Sequence, residues 1–445
     1  MKIEYLSIDK YKNLSSFRID FEKNLNLIAL AGKNGSGKSN ILEVIAHIFS
    51  FIMTDAKELG FTFELHYKIR GDSICISNNS GELKILKNNK LLPKTQNRSV
   101  IPITVFLYYA GETERLKKLA IESIDKTFNK CIKNGENPSY KAISYLSIND
   151  FGLSLMAISC FYSSNVDILK TLEETLGITN ISKECKLYLK RPSWGKSGKQ
   201  DNYWNAKGYI KELLDILDHN SSYKIVSNDN IILTLSECSK IQDHFSGPEG
   251  LFKALKILSQ AEILDYIKID VTKDSIIFDC NELSEGEKQL GNLLSILNFT
   301  RDYSALFLLD EFDSYLHPTW QRHFAELVSL KNITGQVLFT THSPFTLSQM
   351  KRHNVFLLKN GTIYESSVDT YNRNASEIME ELMDISLRPK HIEELISNFN
   401  KAIAQKNILT AKQLKEQLHE YLSDEDPFFI TADLSIARID AKIYI

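Results

Sequence analysis

No two cysteines in this 445-residue chain form a C-x-x-C pair; Cys75, Cys131, Cys160, Cys185, Cys238 and Cys280 are scattered. That excludes the ligand spacing of a zinc finger, ribbon or hook, and single thiols in a long chain read as a protein kept in a reducing compartment. No apolar run approaches the roughly 18 residues needed to cross a bilayer. The opening MKIEYLSIDKYKNL alternates like a strand and has none of the apolar stretch of a secretion signal. A cytoplasmic protein with no membrane partner is expected. Net charge is also scarce, at −3, so chain-wide electrostatics argue neither for nor against nucleic acid. Any DNA contact would need a local basic face. Sustained heptads, internal repeats and low-complexity tracts are missing, which excludes a long coiled coil or a repeat array.

What is present fits two or three folded domains. Residues 2–8 and 16–30 read as strands, with Leu25 to Ala31 a nearly continuous apolar run, as in a strand buried on both faces. Residues 40–52 read as a helix, 62–90 as an antiparallel meander, and Val105 to Tyr109 as another buried strand. Helical patterns dominate residues 116–270. Buried strands return from 271 at Ser275–Phe278, Ala305–Leu309 and Gln336–Phe339, and residues 366–445 turn helical again. In that tail Ile392, Leu395, Phe399 and Ile403 share one helix face; Ala411, Leu414, Leu418 and Tyr421 share another.

Chemistry concentrates in a few stretches. Gly32-Lys33-Asn34-Gly35-Ser36-Gly37-Lys38-Ser39 follows a buried strand and, at Asn40, opens a helix. This is G-x-x-x-x-G-K-[ST] in strand–loop–helix context: glycines let backbone N–H groups wrap a phosphate, and the helix start favours negative charge. Lys38 is placed to reach the β- and γ-phosphates and Ser39 to ligate Mg²⁺. The apolar strand 305–309 ends in Asp310 and Glu311, which suit a metal carboxylate and a base for the attacking water. Alone, they would be ordinary solvated acids at a strand end. Thr340-Thr341-His342-Ser343-Pro344 follows a third apolar strand and places His342 for a γ-phosphate contact, although a lone histidine is more often structural.

These residues resemble the ABC-type ATPases. Leu283-Ser284-Glu285-Gly286-Glu287 stands where that family has L-S-G-G-Q, Phe312-Asp313-Ser314 matches its D-loop, and His342 its H-loop. Tyr315-Leu316-His317-Pro318 is similar to SMC, RecF and OLD-like heads. The resemblance implies an α/β fold, a P-loop NTPase head of ABC type formed by residues 1–115 and 271–365. It also implies a compact helical insertion at 116–270 and a helical C-terminal tail at 366–445 that docks a partner. ATP and Mg²⁺ are implied as cofactors, with Ser284, Gly286, Glu287 and Asp313 meeting nucleotide held by a second head, so that head-to-head dimers build a homo-oligomer.

Three further stretches resemble the PtuA ATPases of Septu anti-phage systems: VFLYYAGETERL (Val105–Leu116), KRPSWGKSGKQDNYWNAKG (Lys190–Gly208) and YNRNASEIMEELMDISLRP (Tyr371–Pro389). They imply a defence ATPase that controls a separately encoded HNH nuclease of PtuB type. Retron-associated and PARIS-type ATPases share this architecture, and a RecF/SMC-like repair ATPase acting on DNA without a nuclease is the alternative. Three departures stand out. Glu287 replaces the signature glutamine, with Lys288 beside it to offset the charge. Asn372 replaces a glycine of the tail stretch. No Q-loop glutamine is identified, since Gln96 precedes the strand 101–109. Slow hydrolysis, as in a nucleotide-gated switch, is the expectation. A basic cluster of Lys183, Lys186, Lys190, Arg191, Lys196 and Lys199, with Trp194 and Trp204 interleaved, reads equally as a nucleic-acid face or a solvated loop.

Overall fold

The computed structural model describes residues 1–21, 25–54, 58–79, 81–111, 115–120, 142–198, 200–330, 333–359, 361–367, 369–383 and 388–443. Glu112, Thr113 and Glu114, Lys199 and residues 384–387, all part of stretches singled out above, lie outside these ranges. The chain divides into two compact units, Met1–Arg373 and Asn374–Ile445.

The first unit is built around a seven-stranded sheet in the order Thr362–Glu365, Val355–Lys359, Leu27–Ala31, Gln336–Thr340, Leu306–Asp310, Thr104–Tyr109, Ala142–Tyr145. Every pairing is parallel except the first. Its three middle strands are buried at every position, which is why they read as unbroken apolar runs. Ligands of such sheets collect at the carboxyl ends of the strands, and those ends carry the phosphate loop, Asp310–Glu311 and Thr341–His342.

A six-stranded antiparallel sheet, Leu14–Asp20, Lys2–Tyr11, Phe63–Ile69, Asp72–Ser77, Lys84–Lys87, Lys90–Leu91, forms a second layer. The helix Lys38–Thr54 is largely apolar, with one narrow polar stripe of Asn40, Glu43, His47 and Ser50, because it shares one core with both sheets. Ile41 and Ile45 are as fully buried as Leu65 on one sheet and Leu306 and Leu338 on the other.

The expectation of a helical insertion is corrected. A third sheet, five-stranded and antiparallel, runs Tyr223–Val226, Asn230–Leu235, Ile178–Lys190, Leu264–Lys273, Ile276–Asp279. It crosses the boundary drawn at residue 270, because Leu264–Lys273 and Ile276–Asp279 are two arms of one hairpin. The stretch 275–278 is therefore not a buried head strand: Ile276 and Ile277 are 57% and 69% exposed at the sheet edge. Helices are present too. Phe151–Cys160 is buried at all ten positions, and Val166–Leu176, Gly208–His219 and Pro248–Gln260 accompany it.

Trp204 is fully buried in this insertion. It lies in a run of three left-handed residues, with φ of 46° at Tyr203, 55° at Trp204 and 74° at Asn205. Trp204→Ala is expected to lower unfolding free energy by about 3–5 kcal/mol, read from the urea midpoint. An unchanged midpoint would contradict its role as an anchor.

The second unit is helical, as expected, with Ala375–Glu381, Lys390–Ala404, Ile408–His419 and Pro427–Ile443. Phe399, Ala402, Ala411, Ala432 and Ile436 form one core cluster and Ile392, Leu418 and Phe429 another. Tyr421, assigned to the apolar face, is 57% exposed.

Candidate active site

The phosphate loop is shaped by close approaches that only glycine permits. Gly32 has φ +144°, and a Cβ there would lie 2.4 Å from the Leu358 carbonyl oxygen; at Gly37, φ +108°, it would lie 2.8 Å from Asn13 Oδ1. Lys33, Asn34 and Gly35 are exposed at the loop crest. Asn13 Nδ2 donates to the Gly35 carbonyl at 2.8 Å, and Asn40 Nδ2 donates to Asn13 Oδ1 at 2.6 Å. Asn13 thus ties the loop to the first helical turn. The sequence reading missed it; its one signal is the Lys12-Asn13 turn, where Lys12 has φ 50°.

Lys38 is only 5% exposed, and its Nζ donates to the carbonyls of Gly32 (3.0 Å) and Lys33 (3.2 Å). Burial pulls its pKa down to about 8, against the raising effect of Asp310 and Glu311. The Ser36 hydroxyl is buried in the loop without a hydrogen-bond partner. An orphaned donor inside a ring of glycines, beside a buried ammonium, fits a bound phosphate.

Ser39 Oγ donates to Asp310 Oδ1 at 2.9 Å, across 271 positions of sequence. Thr340 Oγ1 donates to the same oxygen at 2.5 Å and accepts from the Glu311 N–H at 2.9 Å. Burial raises the Asp310 pKa, although the hydrogen bonds from Thr340 and Ser39 oppose it. A hydroxyl and a carboxylate side by side are an all-oxygen set suited to Mg²⁺. Glu311 sits at φ 51°, a left-handed conformation rare outside glycine and frequent at functional sites. His342 is half-buried, and burial, followed by the charge of Lys38, pulls its pKa down to about 4. Its imidazole is neutral near pH 7.

Two sequence assignments change. Asp313 is only 2% exposed, and its carboxylate accepts from the Thr341 hydroxyl and, at 2.6 Å, from Thr346 Oγ1. It is a strut tying the loop after Glu311 to the loop of His342, not a group presented to nucleotide. Glu287 is also buried, and its partner is Lys273 rather than Lys288, whose Nζ donates to the Asn281 carbonyl at 3.1 Å. Burial alone would raise the Glu287 pKa, but hydrogen bonds from Lys273 and Ser284 outweigh it and the net shift is downward.

Ser284 is the N-cap of the helix Glu285–Phe299, closing a capping box with Glu287. A Cβ on Gly286 would lie 2.7 Å from the Tyr315 carbonyl oxygen, so that position too requires glycine. Ser284 and Glu285 are exposed on a cleft also lined by Lys273, Tyr315 and His317. Among the described residues lining it, none belongs to the phosphate loop.

The strand Thr104–Tyr109 ends beside Asp310, with the Ala110 N–H donating to the Asp310 carbonyl at 3.2 Å. Among the described residues of the basic cluster, several side chains are engaged within the fold. Trp204 is buried, Trp194 Nε1 donates to the Ala261 carbonyl at 3.1 Å, and Lys190 and Arg191 pair with Asp265 and Asp229 at 2.6 Å each. Among the described residues no helix is long and apolar enough to cross a membrane.

The chain is 22% identical over 497 positions to "Retron Ec83 probable ATPase" of Escherichia coli, covering 98% of this chain and 87% of that one. It is 23% identical over 467 positions to "Septu protein PtuA" of Bacillus thuringiensis, covering 99% of each. Among solved structures, the SMC head domain from Thermotoga maritima matches with a TM-score of 0.37 and 15% identity, over 83% of this chain and all of that one. The family described as "AAA domain, putative AbiEii toxin, Type IV TA system" matches residues 27–130 and 173–348. Those residues are more than half of the chain and hold the phosphate loop, Ser284, Asp310, Glu311 and His342. The chain belongs to this AAA-domain family, as a P-loop ATPase of the ABC type.

Proposed function

We propose that the chain binds Mg·ATP between its own phosphate loop and the Ser284 turn of a second copy and hydrolyses it slowly. The ATP-bound pair then controls a separately encoded HNH nuclease in a Septu-like anti-phage system. One observation supports the shared site: none of the described residues lining the cleft at Ser284 belongs to the phosphate loop, so one chain carries the two as separate half-sites. The nuclease assignment draws support from likeness to the Septu protein PtuA along the full length of both chains.

Each residue then has a task. Ser39 and Asp310 would hold Mg²⁺, which would supply positive charge to offset that of the triphosphate. Lys38 and the loop N–H groups grip the triphosphate oxygens. Glu311 accepts the proton of the attacking water, its position fixed by the Thr340 hydroxyl beneath its N–H. Neutral His342 donates one hydrogen bond toward the γ-phosphate. Hydrolysis is slow because the Ser284 hydroxyl is already engaged by Glu287 at 2.6 Å.

Co-expression with the neighbouring reading frame tests the assignment. An HNH nuclease should copurify, and its cleavage of plasmid DNA should change on adding ATP for the wild type but not for Lys38→Ala. Failure to copurify, or cleavage indifferent to ATP, overturns the nuclease role. The likeness to the retron Ec83 ATPase over 98% of the chain favours a retron setting as the second reading; a neighbouring reverse transcriptase would select it.

A further inference from the structure

The Glu287–Lys273 pair has a geometry that the signature motif by itself does not require. Glu287 Oε1 is paired with Lys273 Nζ, while Oε2 accepts from Ser284 Oγ at 2.6 Å and from the Ser284 N–H at 2.8 Å. Both groups best able to meet a phosphate in this cleft, a hydroxyl and an ammonium, are held by one carboxylate. The capping box needs only the Ser284 N–H and the Glu287 N–H; the ammonium is additional.

Lys273 comes from the insertion, not from the head. It is the last residue of the strand Leu264–Lys273 and closes a hairpin on Ile276 through Asp274 and Ser275, whose φ values are 50° and 64°. Such a left-handed two-residue turn fixes the register of its flanks. On the other side Lys273 pairs with Ile178, and the position of the Gly177 Cβ would lie 3.7 Å from its aliphatic stem. The lysine head is thus aimed at the signature by three backbone constraints of the insertion sheet. The insertion also grips the signature helix directly, through Ser154 Oγ donating to Asn292 Oδ1 at 2.7 Å.

We propose that Glu287 is a latch on the signature and that Lys273 is a second anion ligand for the shared triphosphate, supplied by the insertion sheet. When a γ-phosphate from a second copy enters the cleft, Lys273 and the Ser284 hydroxyl turn from Glu287 to its oxygens, and Glu287 keeps only the Ser284 N–H. Displacing the insertion sheet withdraws a positive charge from the ATP site, so the insertion biases dimerisation without touching the phosphate loop. The inference rests on the shared-site reading above.

The test uses full-length chains carrying Glu311→Gln, so that ATP-bound dimers accumulate, with the ATP concentration for half-dimerisation read by sedimentation velocity. Adding Glu287→Gln, nearly isosteric, should lower that concentration about tenfold, because a like charge beside the incoming phosphate is removed and both donors are freed. Lys273→Gln should raise it about tenfold and flatten its dependence on salt, and Lys273→Arg should restore both. A merely structural lysine would leave the salt dependence unmoved. If Glu287→Gln weakens or does not change dimerisation, the latch is overturned while the shared site stands. If the Glu311→Gln parent itself shows no ATP-dependent dimer, the shared-site reading fails first.

Discussion

Lys38→Ala lowers ATP affinity about a hundredfold. The ammonium is buried and can give two charge-assisted hydrogen bonds to phosphate oxygens, each of about 1.5–3 kcal/mol. Losing about 3 kcal/mol corresponds to a factor of roughly 100 in Kd. The lysine is already positioned for this by the carbonyls of Gly32 and Lys33, so little side-chain entropy remains to be lost on binding. Removing it also removes an unfavourable burial, since desolvation is what pulls its pKa down to about 8. The variant should therefore fold at least as well as the wild type, and equilibrium titration with a fluorescent ATP analogue isolates the binding defect. Affinity within threefold of wild type would mean that the loop holds phosphate by its backbone alone.

Glu311→Gln slows hydrolysis about 100- to 10,000-fold, the usual worth of a positioned general base, while ATP binding persists. The glutamine keeps the shape and the backbone N–H bond to Thr340 Oγ1, and it removes one negative charge from the neighbourhood of Asp310 and the phosphates. ATP-bound dimers should therefore live longer in the variant than in the wild type, by the same factor as hydrolysis slows if hydrolysis is what dissolves them. Single-turnover kinetics and dimer lifetime, measured on the same sample, check this. A rate loss without a longer lifetime would place Glu311 in chemistry but uncouple chemistry from dimer release.

Much of this site is legible in the sequence because its parts are short, contiguous and attached to strands buried on both faces. Leu306–Asp310 and Gln336–Thr340 read as apolar runs ending in polar residues, and the parallel sheet sets those ends side by side. The insertion sheet is not legible, for a local reason. In Ile178–Lys190 the first buried positions are Ile178, Ile181 and Cys185, spaced by three and four as in a helix. Register shifts between Ile178 and Asn180 and between Ile181 and Cys185 break the alternation expected of a strand. The Lys273–Glu287 pair depends on that misread sheet, so the nearer Lys288 looks like the partner. Asp313 looks like a ligand because it follows Glu311, but the turn Phe312–Tyr315 rotates it inward onto Thr341 and Thr346.

Mixing two inactive chains tests the shared site most directly. Lys38→Ala disables the phosphate loop and Ser284→Arg blocks the signature, and each alone should hydrolyse ATP near background. In a mixed dimer both lesions fall on one composite site and the other is intact. With random pairing half of the dimers are mixed, so an equimolar mixture should recover about a quarter of wild-type activity. A mixture no more active than its two components would show that the triphosphate is held within one chain and would contradict the account.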